Sequence, residues 1–173
     1  MPNLQGMGPF DDEGHLNVIV ETPKGSRNKL SYDPERDLFK LKKVLPTGAS
    51  FPFDFGFLPG TKGEDGDPLD VLLLLDEATP TGCLVLARLI GVIEAEQTEK
   101  GGKVERNDRL IAVAEVSKTH GPVKELSDLP KQLLDEIQHF FISYNAEAGK
   151  EFKPHKRSGP ERARKLVERS LES

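Results

Sequence analysis

The stretches LVLARLIGVIE at residues 84–94, EQTEKGGKVER at 96–106 and RLIAVAEV at 109–116 decide how this chain folds. The first is a long apolar strand. In the last, Leu110, Ala112, Ala114 and Val116 fall on one face and Arg109, Ile111, Val113 and Glu115 on the other, the period of two that marks a strand. The charged segment between them reads as a hairpin loop. Upstream, Leu16 to Glu21, Asn28 to Tyr32, Leu38 to Val44 and Val71 to Leu75 read as short strands, with turns at Pro23-Lys24-Gly25 and Asp33-Pro34. The segment SFPFDFGFLPG at residues 50–60 carries prolines that remove ladder donors, so it is expected as an extended loop against the core rather than a central strand.

Two helices follow. Pro130 stands in a first turn after Ser127 or Asp128, Leu133, Ile137, Phe140, Phe141 and Tyr144 form an apolar stripe, and Gly149 is the stop. A polar linker is expected at about 150–157, then Ser158-Gly159-Pro160-Glu161 with capping-box spacing before Ala163, Leu166, Val167 and Leu171. Strands followed by helices spell an α+β chain: a small closed barrel of antiparallel strands with two C-terminal helices packed outside.

Composition agrees with one folded unit. The 173 residues are 36% apolar, enough for a core, and the longest apolar runs are too short to span a bilayer. The first residues, MPNLQGMGPFDDEG, lack the basic start and apolar stretch of a signal segment. A single Cys83 excludes internal disulfides and Cys-rich zinc sites, and a reducing, cytoplasmic home is the simplest expectation. The net charge is −5, yet residues 150–173 carry eight Lys or Arg against four Glu, so the acidity sits in the body of the chain. An acidic body argues against nucleic-acid binding, which needs clustered cations.

The chemistry concentrates in Glu64-Asp65-Gly66-Asp67-Pro68-Leu69-Asp70. Three aspartates fall within six residues, and from Gly63 to Ala87 there is no Lys or Arg to neutralise them. Crowded carboxylates repel one another unless they face water or a cation, and Mg²⁺ prefers carboxylate oxygen. An Asp-Gly turn with solvated acids is the plain structural alternative. An EF-hand fits poorly, because Asp70 stands where its sharp-turn glycine belongs. The four histidines never occur at i, i+4, and the glycine-rich phosphate loops and the GxSxG nucleophile elbow are missing.

The run Asp65-Gly66-Asp67-Pro68-Leu69-Asp70-Val71 resembles the D-x-D-P-x-D-V signature of the family I soluble inorganic pyrophosphatases. Further matches come in the same order: Val18 to Pro23, Lys29, Phe51-Pro52, Phe55-Gly56-Phe57, Asn107 to Val113, and His139-Phe140-Phe141 with Tyr144. The resemblance covers roughly residues 15–150. It implies a barrel of the oligonucleotide/oligosaccharide-binding type over one pyrophosphatase-like domain of residues 1–173, a cytoplasmic homo-oligomer, and hydrolysis of pyrophosphate to two phosphates with Mg²⁺, or Mn²⁺ in its place. Carried over by position, Asp67 is the general base, and Asp65, Asp70 and the Asn107 position hold metal. Lys29, Lys43, Arg109 and Tyr144 hold phosphate, while Glu21 and Glu105 support the cluster.

Several positions depart from the family pattern. That pattern has an acid at Ser31, Arg at Lys43, Tyr at Phe51 and Phe55, Asp at Asn107, and Lys at Arg109 and Asn145. A further family Asp falls where Gln97 or Glu105 stands. A lost hydrogen bond to a charged phosphate is worth roughly 1.5–3 kcal/mol, so reduced efficiency is one expectation. Two alternatives are a related hydrolase whose more apolar pocket takes another phosphate ester or anhydride, and an anion-binding descendant with impaired catalysis.

Overall fold

The computed structural model describes Leu4 and residues 6–171. The signal-segment reading falls partly on Met1 to Asn3 and Gln5, outside the described residues. The elements are β1 (Leu16–Thr22), β2 (Asn28–Asp33), β3 (Leu38–Val44), β4 (Asp54–Phe57), β5 (Asp70–Leu74), β6 (Leu84–Thr98), β7 (Val104–Arg106), β8 (Arg109–Ala114), α1 (Lys131–Glu147), β9 (Glu151–Ser158) and α2 (Pro160–Arg169). One 3₁₀ turn, Leu126–Asp128, precedes α1.

β6 organises the sheet. Its first residues pair with β1, its middle with β8, and its last residues with β7 on one side and β9 on the other. Because β1 also pairs with β4, the path β1-β4-β5-β8-β6 returns on itself as the expected small barrel. All of its pairings are antiparallel except β5 with β8, which run parallel. β2 and β3 form a separate hairpin.

Alternation along the strands feeds two cores. Val71 and Leu73 of β5, with Leu110, Ala112 and Ala114 of β8, pack with Ala163, Leu166 and Val167 of α2. Leu72, Leu74, Ile111 and Val113 turn the other way, toward Leu134, Ile137 and Phe141 of α1 and the phenylalanines 51, 53 and 55. Both faces are covered, which is why these strands read as nearly continuous apolar runs. A register shift between Leu89 and Gly91 lets β6 bend. A Cβ at Gly91 would lie 2.4 Å from the Leu126 side chain and 2.6 Å from the Ser158 carbonyl, so only glycine fits.

Three expectations need correction. Residues 54–57 form β4, held between β1 and β5; Pro52 and Pro59 stand outside the strand, so the ladder loses no donor. The charged segment 96–106 is largely ladder, with β6 running to Thr98 and β7 pairing against it. Residues 150–157, read as a basic linker, form most of β9, which packs Phe152 against Phe141 at 5.8 Å. Pro154 sits at the register shift of this strand, where an N–H is not needed. The terminal helix is present, but Gly159 rather than Ser158 is its N-cap, and the Ser158 hydroxyl donates to Glu94 at 2.5 Å.

Candidate active site

The aspartate run is a tight turn leading into β5. Gly63 N–H donates to the Asp67 carbonyl at 2.8 Å and Gly66 N–H to the Gly63 carbonyl at 3.0 Å, while Gly66 takes φ +89°, a conformation that glycine adopts without a Cβ clash. Asp65 accepts the Asp67 N–H at 3.0 Å. Burial raises the Asp65 carboxyl, and the charges of Asp67, Asp70 and Glu105 raise it further against that one hydrogen bond. Four acids therefore share a small region; Glu105 is paired with Lys103 at 2.7 Å, while Asp65 and Asp67 have no basic partner among the described residues.

Strand register delivers the opposing charge. Because β5 and β8 run parallel with Val71 beside Leu110, Asp70 and Arg109 begin neighbouring strands, and Arg109 Nη1 donates to Asp70 Oδ2. The Arg109 side chain is buried against Phe141, Phe152 and Phe55, its guanidinium carbon 4.7, 5.5 and 5.9 Å from their ring centroids. On the separate hairpin, Lys29 lies directly across from Lys43. Like charges facing across a ladder are unfavourable unless an anion meets them. Lys29 Nζ sits 4.0 Å above the Phe55 ring and 4.0 Å from Glu21 Oε1. Burial pushes the Lys29 amine down and the Glu21 carboxyl up, each opposed by the charge of the other. Lys43 Nζ lies 3.8 Å above the Tyr144 ring. Burial pushes the Tyr144 phenol up to about 12, so it keeps its proton and can donate; nearby Arg109 opposes that shift, while Asp70 and Glu21 add to it.

Asp65, Asp67, Asp70 and Glu105 thus gather at the turn, Asp70 and Glu21 join them to Lys29 and Arg109, and Lys43 and Tyr144 stand beside Lys29. Asn107 is engaged through its amide nitrogen: Nδ2 donates to Gln97 Oε1 at 2.7 Å, and Gln97 in turn donates to Glu99 at 3.0 Å. Two of the departing positions thus form an amide pair. Sequence reading placed Gln97 only as a stand-in for a family aspartate; its bond to Asn107 depends on folding. Asn145 is buried and donates to the Phe141 carbonyl at 2.8 Å, so it serves its helix rather than the site. Ser31 was noted only as a departure, yet it stands beside Glu21, whose carboxyl is raised by burial against the charge of Lys29, the Tyr32 N–H and Ser31.

Comparison with known proteins shows the family. A family model described as inorganic pyrophosphatase matches residues 18–173. The chain belongs to the inorganic pyrophosphatase family. It is 38% identical over 153 residues to the inorganic pyrophosphatase of Halalkalibacterium halodurans, covering 88% of this chain and 91% of that one. The enzyme of Synechocystis is 39% identical over 131 residues, covering 76% and 75%. Among solved structures, the inorganic pyrophosphatase of Neisseria gonorrhoeae superposes with a TM-score of 0.86 at 34% identity, covering 96% of this chain and 95% of that one. Family membership makes the chain a hydrolase-family protein and agrees with the barrel reading. Among the described residues no helix is long and apolar enough to cross a membrane.

The fit of a metal rests on the donors. Among the described residues no three acidic or imidazole groups already converge as a ligand set. The oxygens of Asp65, Asp67, Asp70 and Glu105 are nonetheless the hard donors that Mg²⁺ takes, and their mutual repulsion at Asp65 is what a bound cation would relieve. In donor chemistry the residues fit the group.

Proposed function

We propose that this chain hydrolyses inorganic pyrophosphate to two phosphates with Mg²⁺, or Mn²⁺ in its place. The observation that carries the reading is the meeting of the acidic β5 turn, where Asp65 and Asp67 have no basic partner among the described residues, with Lys29 and Arg109, Lys43 standing opposite Lys29 on the hairpin. A dication between the acids and a polyanion against the bases satisfies both together. Asp65, Asp70 and the Asn107 position would hold metal, with Glu21 and Glu105 as support. A bound divalent cation supplies Lewis acidity and lowers the pKa of water. Asp67, exposed at the turn, takes the proton of the attacking water as its oxygen bonds to phosphorus and the bridging P–O bond breaks. Lys29, Lys43 and Arg109 hold the phosphoryl oxygens, and the Tyr144 hydroxyl donates to them. The whole chain acts as one pyrophosphatase-like unit, and exposed Leu84 and Leu86 on β6 offer apolar surface to a homo-oligomer.

The amide pair Gln97–Asn107 favours reduced efficiency, since a carboxylate beside the cation is replaced by a neutral group. The alternative of a larger organic substrate rests on Phe51 and Phe55 lining an apolar pocket. Both rings are buried, Phe51 at 1% exposed and Phe55 at 5%, and Lys29 covers them, which weakens that reading. The test is phosphate release from pyrophosphate and from a panel of organic phosphates across Mg²⁺ and Mn²⁺ titrations. Expected is metal-dependent turnover fastest on pyrophosphate. Faster release from an organic phosphate would overturn the substrate, and binding of pyrophosphate without turnover would overturn the enzyme reading.

A further inference from the structure

We infer that Arg109 is a built-in counter-ion of the metal site, competing with the divalent cation for Asp70 and thereby setting the cation concentration at which the site fills. The inference rests on the metal reading above and concerns this chain's own side chains.

Three features of Arg109 point the same way. Its Nη1 is bonded to Asp70 Oδ2, so one oxygen of an expected metal ligand is already engaged by a positive charge. A guanidinium does not lose its proton in a protein, so this charge is permanent, unlike that of a lysine, which burial discharges readily. The group is also fixed in place. It is 4% exposed and stacked against Phe141, Phe152 and Phe55, and its Nε is buried without a hydrogen-bond partner. An Nε left unpaired in an apolar cage indicates that the stacking and the Asp70 contact hold the side chain where it is, and no second polar partner draws it away.

The consequence is electrostatic. Without metal, Asp70 is paired with Arg109, while Asp65 and Asp67 have no basic partner among the described residues. A dication arriving at this cluster meets a fixed unit of positive charge on one of its ligands and must share that carboxylate. Attraction to the acids is reduced, and the contribution of Asp70 falls most. The same fixed charge attracts a polyanion, so what weakens the cation alone strengthens the cation and pyrophosphate together.

The experiment measures Mn²⁺ binding to the full chain without substrate, by calorimetry and by the loss of the free-ion electron paramagnetic resonance signal. Wild type, Arg109→Lys and Arg109→Met are compared, each shown by circular dichroism to be folded. Expected is tighter Mn²⁺ binding by about tenfold in Arg109→Met, a smaller gain in Arg109→Lys, and weaker pyrophosphate binding in Arg109→Met at saturating Mn²⁺. Unchanged or weaker Mn²⁺ binding in both variants, with wild type binding normally, overturns the counter-ion inference alone. Should wild type and both variants all fail to bind Mn²⁺, the metal reading falls and the inference falls with it.

Discussion

Glu94 on β6 and Asp65 on the β5 turn are both carboxylates in the same molecule, and the fold treats them oppositely. Glu94 is buried, and Ser158, Arg106 and Arg162 all donate to it, with Lys156 3.7 Å away. Burial alone would raise its carboxyl, but hydrogen bonds from Ser158, Arg162 and Arg106 outweigh burial and hold it down at about 2. Asp65 receives one backbone N–H and otherwise faces Asp67, Asp70 and Glu105. Glu94 is thus built into the architecture, whereas Asp65, left facing other acids, is the proposed place for a cation.

The largest effect belongs to the acidic turn. Asp67→Asn keeps size and removes the proposed base, so phosphate release from pyrophosphate should fall about 10²–10⁴-fold with the melting temperature nearly unchanged. Retention of more than a tenth of the activity would remove Asp67 from the role of base.

At the Glu94 hub the effect should be on stability. Glu94→Gln leaves Arg106 and Arg162 without their shared anion, at a cost of about 3 kcal/mol in urea unfolding at pH 7. This is the low end for a broken buried pair, because both arginines are partly exposed and can turn toward water. The folded carboxyl lies below its ordinary 4.5, so its contribution is complete above that pH and is lost as pH falls toward about 2. The gap between wild type and variant should close over that window. A gap independent of pH would show that ionisation of Glu94 is not its source.

A smaller change is expected from Asn107→Asp, which restores negative charge beside the acidic turn. Mn²⁺ affinity, followed by calorimetry, should rise about tenfold, the scale of ligand-sphere changes at metal sites. No gain would mean that the Gln97–Asn107 pair lies too far from the cation to matter. The smallest belongs to Lys103→Ala. Lys103 pairs with Glu105 at 2.7 Å but is largely exposed, and the urea midpoint should stay at that of wild type.

The contrast also marks what sequence could reveal. The acidic turn was legible because its chemistry is local: three aspartates and one glycine in a row, with no base nearby. β1 was legible from its composition and most of β6 from its apolar run, while β8 and the body of α1 were legible from periodicity, as was the parting of Arg109 and Ile111 from Leu110 and Ala112. β4 was hidden because Pro52 and Pro59 flank a run of only four paired residues, and a flanking proline resembles an interrupting one. β9 was hidden because Lys153, Lys156 and Arg157 give it the composition of a linker, while its ladder partners lie some sixty residues earlier on β6. The Glu94 hub was unreadable for the same reason, since Arg106, Ser158 and Arg162 reach it only after β7, β9 and α2 are in place. Likewise, the pairing of Asp70 with Arg109 follows from a parallel register that no local pattern encodes.

The most direct test compares Asp65→Asn with Glu94→Gln by thermal unfolding, with and without saturating Mn²⁺. At about a hundred times its dissociation constant a bound ion adds about 2.7 kcal/mol, or roughly 5–10 °C for a chain of this size. The raised carboxyl of Asp65 means that its ionisation at neutral pH opposes folding. Asp65→Asn should therefore melt at or above wild type without metal and lose most of the Mn²⁺-induced rise, whereas Glu94→Gln should melt lower and keep that rise in full. The reverse pattern, with Asp65→Asn destabilised and still responsive to metal, would contradict the division between neutralised and free carboxylates.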